Sequence, residues 1–234
     1  TGSLRSPPLP AGERWPEGPV RGRAGIAGKE IPEGGLWMDD FTKTLFHPFE
    51  AGLLDLPAGG GRVLFLNAVP GFRLPQGFEA EIVAVQDFRP AFLALKAAGV
   101  PVEPVAQGEG YDLALVLAGR HRGRNELWVA EALERVRTGG RVVVAGGKTD
   151  GAASLAKRLS SLAGVEGRAS KHHGVVFWLR RGDDAAQAAA ALRAANPPFT
   201  LEGGFRTVPG LFSHERVDAG SRFLADNLPA GLKG

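Results

Sequence analysis

The stretch Gly61-Arg62-Val63-Leu64-Phe65-Leu66-Asn67 decides the fold. Its four consecutive apolar residues follow a glycine cluster, a pattern typical of a parallel strand that is buried on both faces. Further apolar runs of this kind follow along the chain: Glu81–Asp87, Tyr111–Leu117, Arg141–Ala145 and Gly174–Leu179. The sequence therefore predicts a buried sheet of at least five strands.

Helical patterns separate and follow these strands. The first predicted helix is Pro90–Ala98, and the second is capped by Asn125 and runs to Arg137. The third is capped by Asp150, with Leu155, Leu159 and Leu162 on one face. The last two are Asp183–Ala195 and Asp218–Leu228. Strands that alternate with helices imply right-handed crossovers. We expect a Rossmann-like α/β fold, with a parallel or mixed sheet and helices on both faces.

Composition divides the chain into three parts. Residues 1–35 hold 6 Pro and 8 Gly without helical or strand periodicity, which predicts an irregular arm. Residues 36–200 form the predicted Rossmann-like domain, and residues 201–234 form a connector. Because that connector has the composition of a lead-in to a strand that does not follow, we expect it to lead toward a second domain.

Several function classes are excluded by composition. The chain has 234 residues and no cysteine, so disulfides, thiolate metal sites and thiol catalysis are absent. No apolar run has the roughly 18 residues of a membrane span, and the N-terminus lacks the apolar core of a signal peptide. We expect a cytoplasmic location. The net charge of +3 is too small to establish a nucleic-acid partner by itself.

The turn after the first strand is poorly suited to a cofactor. A site for a dinucleotide or S-adenosylmethionine needs a glycine-rich turn there, so that the backbone can approach the ligand. This chain has one glycine, Gly71, in Asn67–Arg73, and Gly59-Gly60-Gly61 precedes the strand. Asp87 ends the second strand, where an acidic residue usually holds ribose. If a cofactor does bind, Asn67, Gly71 and Asp87 are the candidate contacts.

Asn196-Pro197-Pro198-Phe199 has the pattern of the active-site motif of methyltransferases that act on exocyclic amines. In those enzymes the motif ends a buried strand, whereas here it follows a helix. The alternative interpretation is a helix stop with an extended linker, because proline cannot continue a helix.

Basic residues follow the predicted strands Tyr111–Leu117 and Arg141–Ala145, and others precede the strand Gly174–Leu179. Because arginine and lysine contact phosphates, we consider these residues candidate RNA contacts: Arg120, Arg122, Arg124, Lys148, Lys171 and His172. The alternative is a solvated loop face. A metal site at His172-His173 is not expected, since neighbouring side chains of a strand point to opposite faces. No Gly-x-Ser-x-Gly elbow of a hydrolase occurs.

The segment Thr207-Val208-Pro209-Gly210-Leu211-Phe212-Ser213, with Val217–Leu224 and Leu228-Pro229, resembles one family closely. It is similar to the segment that joins the two halves of the bacterial 16S ribosomal RNA (guanine-N2) methyltransferase C family. The segments Arg62–Pro70, Tyr111–Arg122, Arg135–Gly147 and Ser170–Trp178 resemble the N-terminal half of that family.

This resemblance implies a degenerate class I methyltransferase fold without catalytic residues of its own. It implies small-subunit rRNA and a C-terminal catalytic domain as partners, with S-adenosylmethionine bound by that catalytic half and no cofactor in this chain. Neither DNA nor a membrane is an expected partner. Two alternatives remain open: an active S-adenosylmethionine-dependent methyltransferase, and a protein-interaction domain that does not touch RNA.

Overall fold

The computed structural model describes residues 36–229, with side chains from residue 41 onward. The predicted arm, 1–35, lies outside the described residues.

The described chain alternates strands and helices. The strands of the main sheet are β1 (Arg62–Leu66), β2 (Glu81–Val85), β3 (Val102–Glu103), β4 (Tyr111–Leu117), β5 (Val136–Gly147), β6 (Gly167–Lys171) and β7 (Gly174–Arg180). Two short strands, β8 (Phe199–Thr200) and β9 (Arg206–Thr207), form a separate antiparallel pair. The helices are α1 (Leu36–Glu50), α2 (Arg89–Ala97), α3 (Arg122–Arg135), α4 (Ala152–Leu162), α5 (Ala185–Ala194) and α6 (Ala219–Asp226).

The main sheet has the order β3-β2-β1-β4-β5-β7-β6. The strands from β3 to β5 pair in parallel, and β7 runs antiparallel to both of its neighbours. The predicted mixed Rossmann-like sheet is therefore confirmed.

Two apolar clusters cover the two faces of this sheet. In β4, Ala114 and Val116 join one cluster with α3, α4 and α5, while Leu113 and Leu115 join the other. The second cluster contains Phe46 of α1 together with residues of α2 and the loops. Because alternate residues of each central strand point to opposite faces, both faces of the sheet are buried, as the apolar runs predicted.

Helix α1 was missed by the sequence analysis. Phe41, Leu45 and Phe49 recur at a helical spacing of four residues, but Pro48 lies inside the last turn. The side chains of Leu45 and Phe49 are buried against the sheet. Packing against the sheet therefore stabilises this helix even though Pro48 disfavours helical structure in its last turn.

Two predicted helix caps are wrong. Helix α3 begins at Arg122, and its N-cap is His121, whose ring nitrogen accepts from the Arg124 amide, rather than Asn125. Helix α4 has Gly151 as its N-cap, while the Asp150 carboxylate accepts from the Gly147 amide. Asp218, the first residue of the predicted helix Asp218–Leu228, lies outside α6 as its N-cap and accepts from the amides of Gly220 and Ser221.

Candidate functional site

The carboxyl ends of the strands meet at one edge of the sheet. Leu66, the last residue of β1, pairs with Val85 of β2 and Val116 of β4. Lys171 of β6 and Gly147 of β5 both lie opposite Gly174 of β7, so the end of β6 reaches the same edge. This carboxyl edge, where open α/β sheets bind ligands, carries the loops after β1, β2, β4 and β5 and the β6–β7 turn.

Between β1 and β2, the carboxyl edge is closed by hydrogen bonds. The buried side chain of Gln86 donates from Nε2 to the Ala68 carbonyl, 2.7 Å away, and accepts from the Phe88 amide at 2.9 Å. Ala68 also donates its amide to the Val85 carbonyl at 3.1 Å. The two loops are therefore joined where a cofactor-binding fold separates them.

The carboxylate of Asp87 is paired with a cationic side chain. Its carboxylate forms an ion pair with the guanidinium of Arg124, which comes from the first turn of α3. The same guanidinium stacks on the ring of Trp128, with Cζ at 4.1 Å from the ring centroid. The carboxylate that would hold a ribose is already paired with a positioned arginine.

Asn67 and Gly71 also fit a cofactor poorly. Asn67 adopts a left-handed conformation with φ of 56°, and its Nδ2 donates to the Leu117 carbonyl at 2.7 Å. Gly71, with φ of 80°, is the one glycine of Asn67–Arg73, and the nearby Ala68 and Val69 are buried. With the β1–β2 loops joined and Asp87 paired, the position where a ribose would bind is engaged by side chains of this chain.

The β1–β4–β5 part of the carboxyl edge is open. A cleft of about 450 Å³ lies there. It is lined by Phe41, Asn67, Val69, Leu117–Arg120, Gly147–Asp150 and His173.

The walls of this cleft are fastened by Asn125. Its side chain accepts from the Gly119 amide at 2.9 Å and donates to the carbonyls of Gly119, at 2.7 Å, and Asp150, at 3.3 Å. The loops after β4 and β5 are thereby joined through one buried amide. The sequence analysis mistook Asn125 for a helix cap, and no local sequence signal indicates this bridging role.

The predicted loop arginines have different surroundings. Arg120 is exposed and lines the cleft together with Lys148. Arg122 forms an ion pair with the buried Glu126 at 3.0 Å, although its own side chain is 74% exposed. Arg124 is held by Asp87. Within residues 41–229, neither Arg120 nor Lys148 has an ion-pair partner.

Lys171 and His172 lie at the β6–β7 turn. His172 and His173 both have positive φ, 48° and 60°, so they occupy the turn rather than a strand. The argument that their side chains alternate across a strand is therefore wrong. The ring of His172 packs edge-on against His47 of α1, with centroids 6.3 Å apart. Its neighbour His173, which was not singled out as an RNA contact, lines the cleft.

The connector packs on the start of α3. The ring nitrogens of His121 and His214 are 3.3 Å apart. Burial and then the neighbouring His214 hold the pKa of His121 below its ordinary value. A Cβ at Gly123 would approach Pro209 to 2.8 Å, so glycine allows this close contact. The connector thus lies beside the loop that carries Arg120 and Arg122.

Asn196 has a structural role in this arrangement. Its Nδ2 donates to the carboxylate of Glu126 at 2.6 Å and to the Leu192 carbonyl at 2.8 Å. Helix α5 ends two residues earlier, at Ala194, and Phe199 begins β8. The interpretation of Asn196–Phe199 as a helix stop followed by an extended segment agrees with this geometry.

The described part of the chain gives no support for a metal site or a membrane-spanning helix. Among its side chains, no group of three or more His, Asp or Glu residues could hold a metal ion. None of its helices combines the length and apolar character needed to cross a membrane.

Comparison with known proteins gives structural matches. No protein-family model matches the sequence, and no curated protein sequence does. The T. thermophilus 16S rRNA N2 G1207 methyltransferase (RsmC), solved in complex with AdoMet and guanosine, is similar with a TM-score of 0.59 and 24% identity. This match covers 81% of the present chain and 52% of that one, so the chain spans about half the length of that enzyme.

Two further structures are similar at lower scores. A ribosomal protein L11 methylase from Lactobacillus delbrueckii subsp. bulgaricus matches with a TM-score of 0.47 and 12% identity, over 61% of this chain and 79% of that one. The N-methyltransferase NodS from Bradyrhizobium japonicum matches with a TM-score of 0.45 and 10% identity, over 61% and 94%. Strand order, the antiparallel β7 and the T. thermophilus match agree: the chain has the fold of the class I S-adenosylmethionine-dependent methyltransferases.

Proposed function

We propose that this chain is the non-catalytic N-terminal domain of an S-adenosylmethionine-dependent 16S rRNA guanine-N2 methyltransferase, and that it supports the catalytic half and binds RNA. The resemblance of the connector, Thr207–Pro229, to the joining segment of that family supports this assignment. The structural similarity to about half of the T. thermophilus enzyme is in keeping with it.

The observation that carries the proposal is the closure between β1 and β2. A class I fold contacts its cofactor with the loops after β1 and β2 as well as at the β1–β4 position, where the strand order reverses. Here the ribose position, Asp87, is paired with Arg124 and Gln86 joins the first two loops, so the chain offers a cofactor fewer of its usual contacts although the β1–β4 side is open.

RNA binding is supported by the cations of the carboxyl edge. Arg120, Arg122 and Lys148 are exposed there, and Lys171 lies at the end of β6 on the same edge. Several cations that share one edge can contact more than one phosphate of the same strand, whereas isolated charges cannot. We therefore assign this edge as the RNA-facing surface, with Arg124 and His172 as its less accessible members.

Support of a catalytic half is assigned to the connector. Its apolar side chains include Phe212, which is 86% exposed, and Phe223, which is 71% exposed. Helix α6 buries none of its residues against the described part of the chain. Such side chains are suited to packing against a second domain. Co-purification of this chain with the catalytic half tests the contact, and Phe212→Ser with Phe223→Ser should weaken it.

The RNA assignment is tested by fluorescence anisotropy with a labelled 16S rRNA fragment at several salt concentrations. Because each phosphate contact releases counterions, log Kd should rise with log salt with a slope of about 2 to 4. Replacement of Arg120, Arg122, Lys148 and Lys171 by alanine should reduce the affinity at least tenfold. Replacement of the exposed Lys96 and Lys157, on α2 and α4, is the control and should change it less than twofold. Unchanged affinity in the first variant would refute the RNA assignment.

The open cleft favours a second candidate, an active methyltransferase that binds its cofactor in an altered position. Binding of S-adenosylmethionine separates this candidate from the first. The third, a pure interaction domain, predicts that the chain co-elutes with its catalytic half in size-exclusion chromatography but gives no anisotropy change with RNA.

A further inference from the structure

The cleft on the β1–β4–β5 side has the dimensions of a small-ligand site. Its volume of about 450 Å³ lies within the roughly 300–1,000 Å³ of such pockets. The RNA-binding role proposed above does not require a cavity, since contacts to an RNA backbone need only an exposed basic surface. The composition of its walls therefore indicates what it can hold.

Charge in the cleft favours an anion. Arg120 and Lys148 line it, and neither forms an ion pair with residues 41–229. Among the described side chains of the lining, the carboxylate is that of Asp150, which is buried and accepts from the Gly147 amide at 3.0 Å. An anionic group between Arg120 and Lys148 would form charge-assisted hydrogen bonds, whereas a sulfonium cation would be repelled.

The remaining wall is apolar and carries an aromatic ring. Phe41, Val69 and Leu117 line the cleft, and the amide of Asn67 in the same wall is already bonded to the Leu117 carbonyl. The ring of Phe41 lies close to Gly147, where an added Cβ would approach its Cζ to 2.9 Å. A flat, largely apolar group such as a nucleobase suits this wall, because bases stack on aromatic side chains.

The cleft is also held in shape before any ligand arrives. Asn67 joins the loops after β1 and β4, and Asn125 joins the loops after β4 and β5. Helix α1 is fastened to the β6–β7 turn by Thr44, whose hydroxyl donates to the Lys171 carbonyl at 3.0 Å. Walls that are fixed in this way avoid the entropic cost of ordering them on binding.

From these observations we propose that the cleft binds one nucleotide, with its phosphate between Arg120 and Lys148 and its base against Phe41. The inference rests on the proposed RNA-binding function and adds a pocket that takes an unstacked nucleotide out of the strand. The same chemistry is present in a free nucleoside monophosphate, so the two sources have to be distinguished by experiment.

The test is a titration of the isotope-labelled chain followed by amide chemical shifts. The probes are the four nucleoside 5′-monophosphates, the uncharged nucleosides and a 12-nucleotide single-stranded RNA. We expect saturable shifts at the amides of Gly119, Gly147 and Thr149 with the monophosphates and the RNA. The monophosphates should bind about tenfold more tightly than the nucleosides, because only they offer a charged acceptor.

Two variants probe the two halves of the contact. Gly119→Leu adds a side chain to the cleft wall at a position where a Cβ meets no atom within 4 Å, so the fold should tolerate it. It should abolish monophosphate binding, and Gly119→Ala is its conservative control. Arg120→Ala with Lys148→Ala should weaken monophosphate binding at least tenfold, whereas Lys96→Ala with Lys157→Ala should leave it unchanged.

The outcomes separate this inference from the function on which it rests. RNA that shifts the cleft amides, and binds more weakly to the Gly119→Leu variant, supports an RNA nucleotide as the occupant. Monophosphates that shift these amides while RNA does not would support the cleft as a site for the free nucleotide. RNA that binds the wild type and Gly119→Leu equally, with silent cleft amides, would overturn the inference and leave the proposed function standing. Absence of any RNA binding would overturn the proposed function.

Discussion

The two halves of the carboxyl edge differ although the same sheet builds both. Between β1 and β2, Gln86 joins the loops and Arg124 neutralises Asp87. Between β4 and β5, Asn125 also joins two loops, but an open cleft lined by Arg120 and Lys148 remains beside them. The Gln86 hydrogen bonds and the Asp87–Arg124 ion pair occupy a ligand position, whereas the Asn125 hydrogen bonds hold the loops beside an open one.

This difference shows how a fold can keep its architecture while its binding preference changes. No strand is missing from the edge, and the backbone of the sheet has the order of a class I methyltransferase. The two halves of the edge differ in which carboxylates and cations already form ion pairs. A paired Asp87 and unpaired Arg120 and Lys148 make the edge attractive to anions rather than to the hydroxyls of a ribose.

Removal of the Asn125 loop bridge should have the largest effect. Asn125→Ala leaves the Gly119 amide and the carbonyls of Gly119 and Asp150 without their partner, and buried unpaired groups cost about 1–3 kcal/mol each. We therefore expect the free energy of unfolding to fall by at least about 3 kcal/mol in urea denaturation. The exposed Asn227 donates to the Phe223 carbonyl, and Asn227→Ala should cost less than about 0.5 kcal/mol. Equal effects of the two variants would contradict the bridging role.

The second prediction ranks the cations of the edge. Arg120 and Lys148 are unpaired within the described chain, whereas Arg124 already serves Asp87, so only the first two are fully available to phosphate. In anisotropy titrations, Arg120→Ala with Lys148→Ala should weaken RNA binding roughly tenfold, and Arg124→Ala by less than about threefold. The reverse order would show that the pairing with Asp87 does not persist in the complex.

The third prediction concerns the closed half. Arg124→Ala removes both a half-exposed ion pair and the stacking on Trp128, which together should cost about 1 kcal/mol of unfolding free energy. Asp87→Asn removes the ion pair alone and should cost about 0.5 kcal/mol or less. Urea denaturation of both variants checks this order, and a larger loss for Asp87→Asn would place most of the energy in the pair.

The smallest effect is a pH dependence of the connector contact. Burial, with the nearby His214 and Arg124 and against the opposing Glu215, keeps the pKa of His121 below 6.5. The unfolded chain therefore takes up a proton first, so this contribution to stability is complete above pH 6.5 and is lost as the pH falls below that value. We expect Tm to decrease by about 1–2 °C more between pH 7 and pH 5.5 in the wild type than in His121→Asn. The asparagine keeps the capping acceptor without titrating, so identical slopes would contradict the assignment.

Five strands of the main sheet and their common edge could be predicted from the sequence, because long apolar runs such as Val63–Leu66 are buried in a sheet. Strands β3 and β6 were missed, since β3 has two residues and β6 is not an apolar run. The prediction that the Asn67–Arg73 loop is poorly suited to a cofactor rests on its local glycine pattern and stays a prediction. The bridging role of Asn125 and the pairing of Asp87 with Arg124 were not predictable. Asn125 and Asp150 are 25 residues apart in the sequence, and Asp87 and Arg124 are 37 apart, so only the folded sheet brings each pair together. The turn at His172-His173 was missed because two histidines with positive φ carry no turn signal.

The most direct test of the central claim is a calorimetric titration of the 234-residue chain with S-adenosylmethionine. The closed β1–β2 half predicts no saturable heat at high protein concentration, while the same preparation binds RNA in a salt-dependent manner. A saturable site of micromolar affinity would contradict the account, because the cofactor would then bind either in the open cleft or after the Gln86 and Asp87 contacts open.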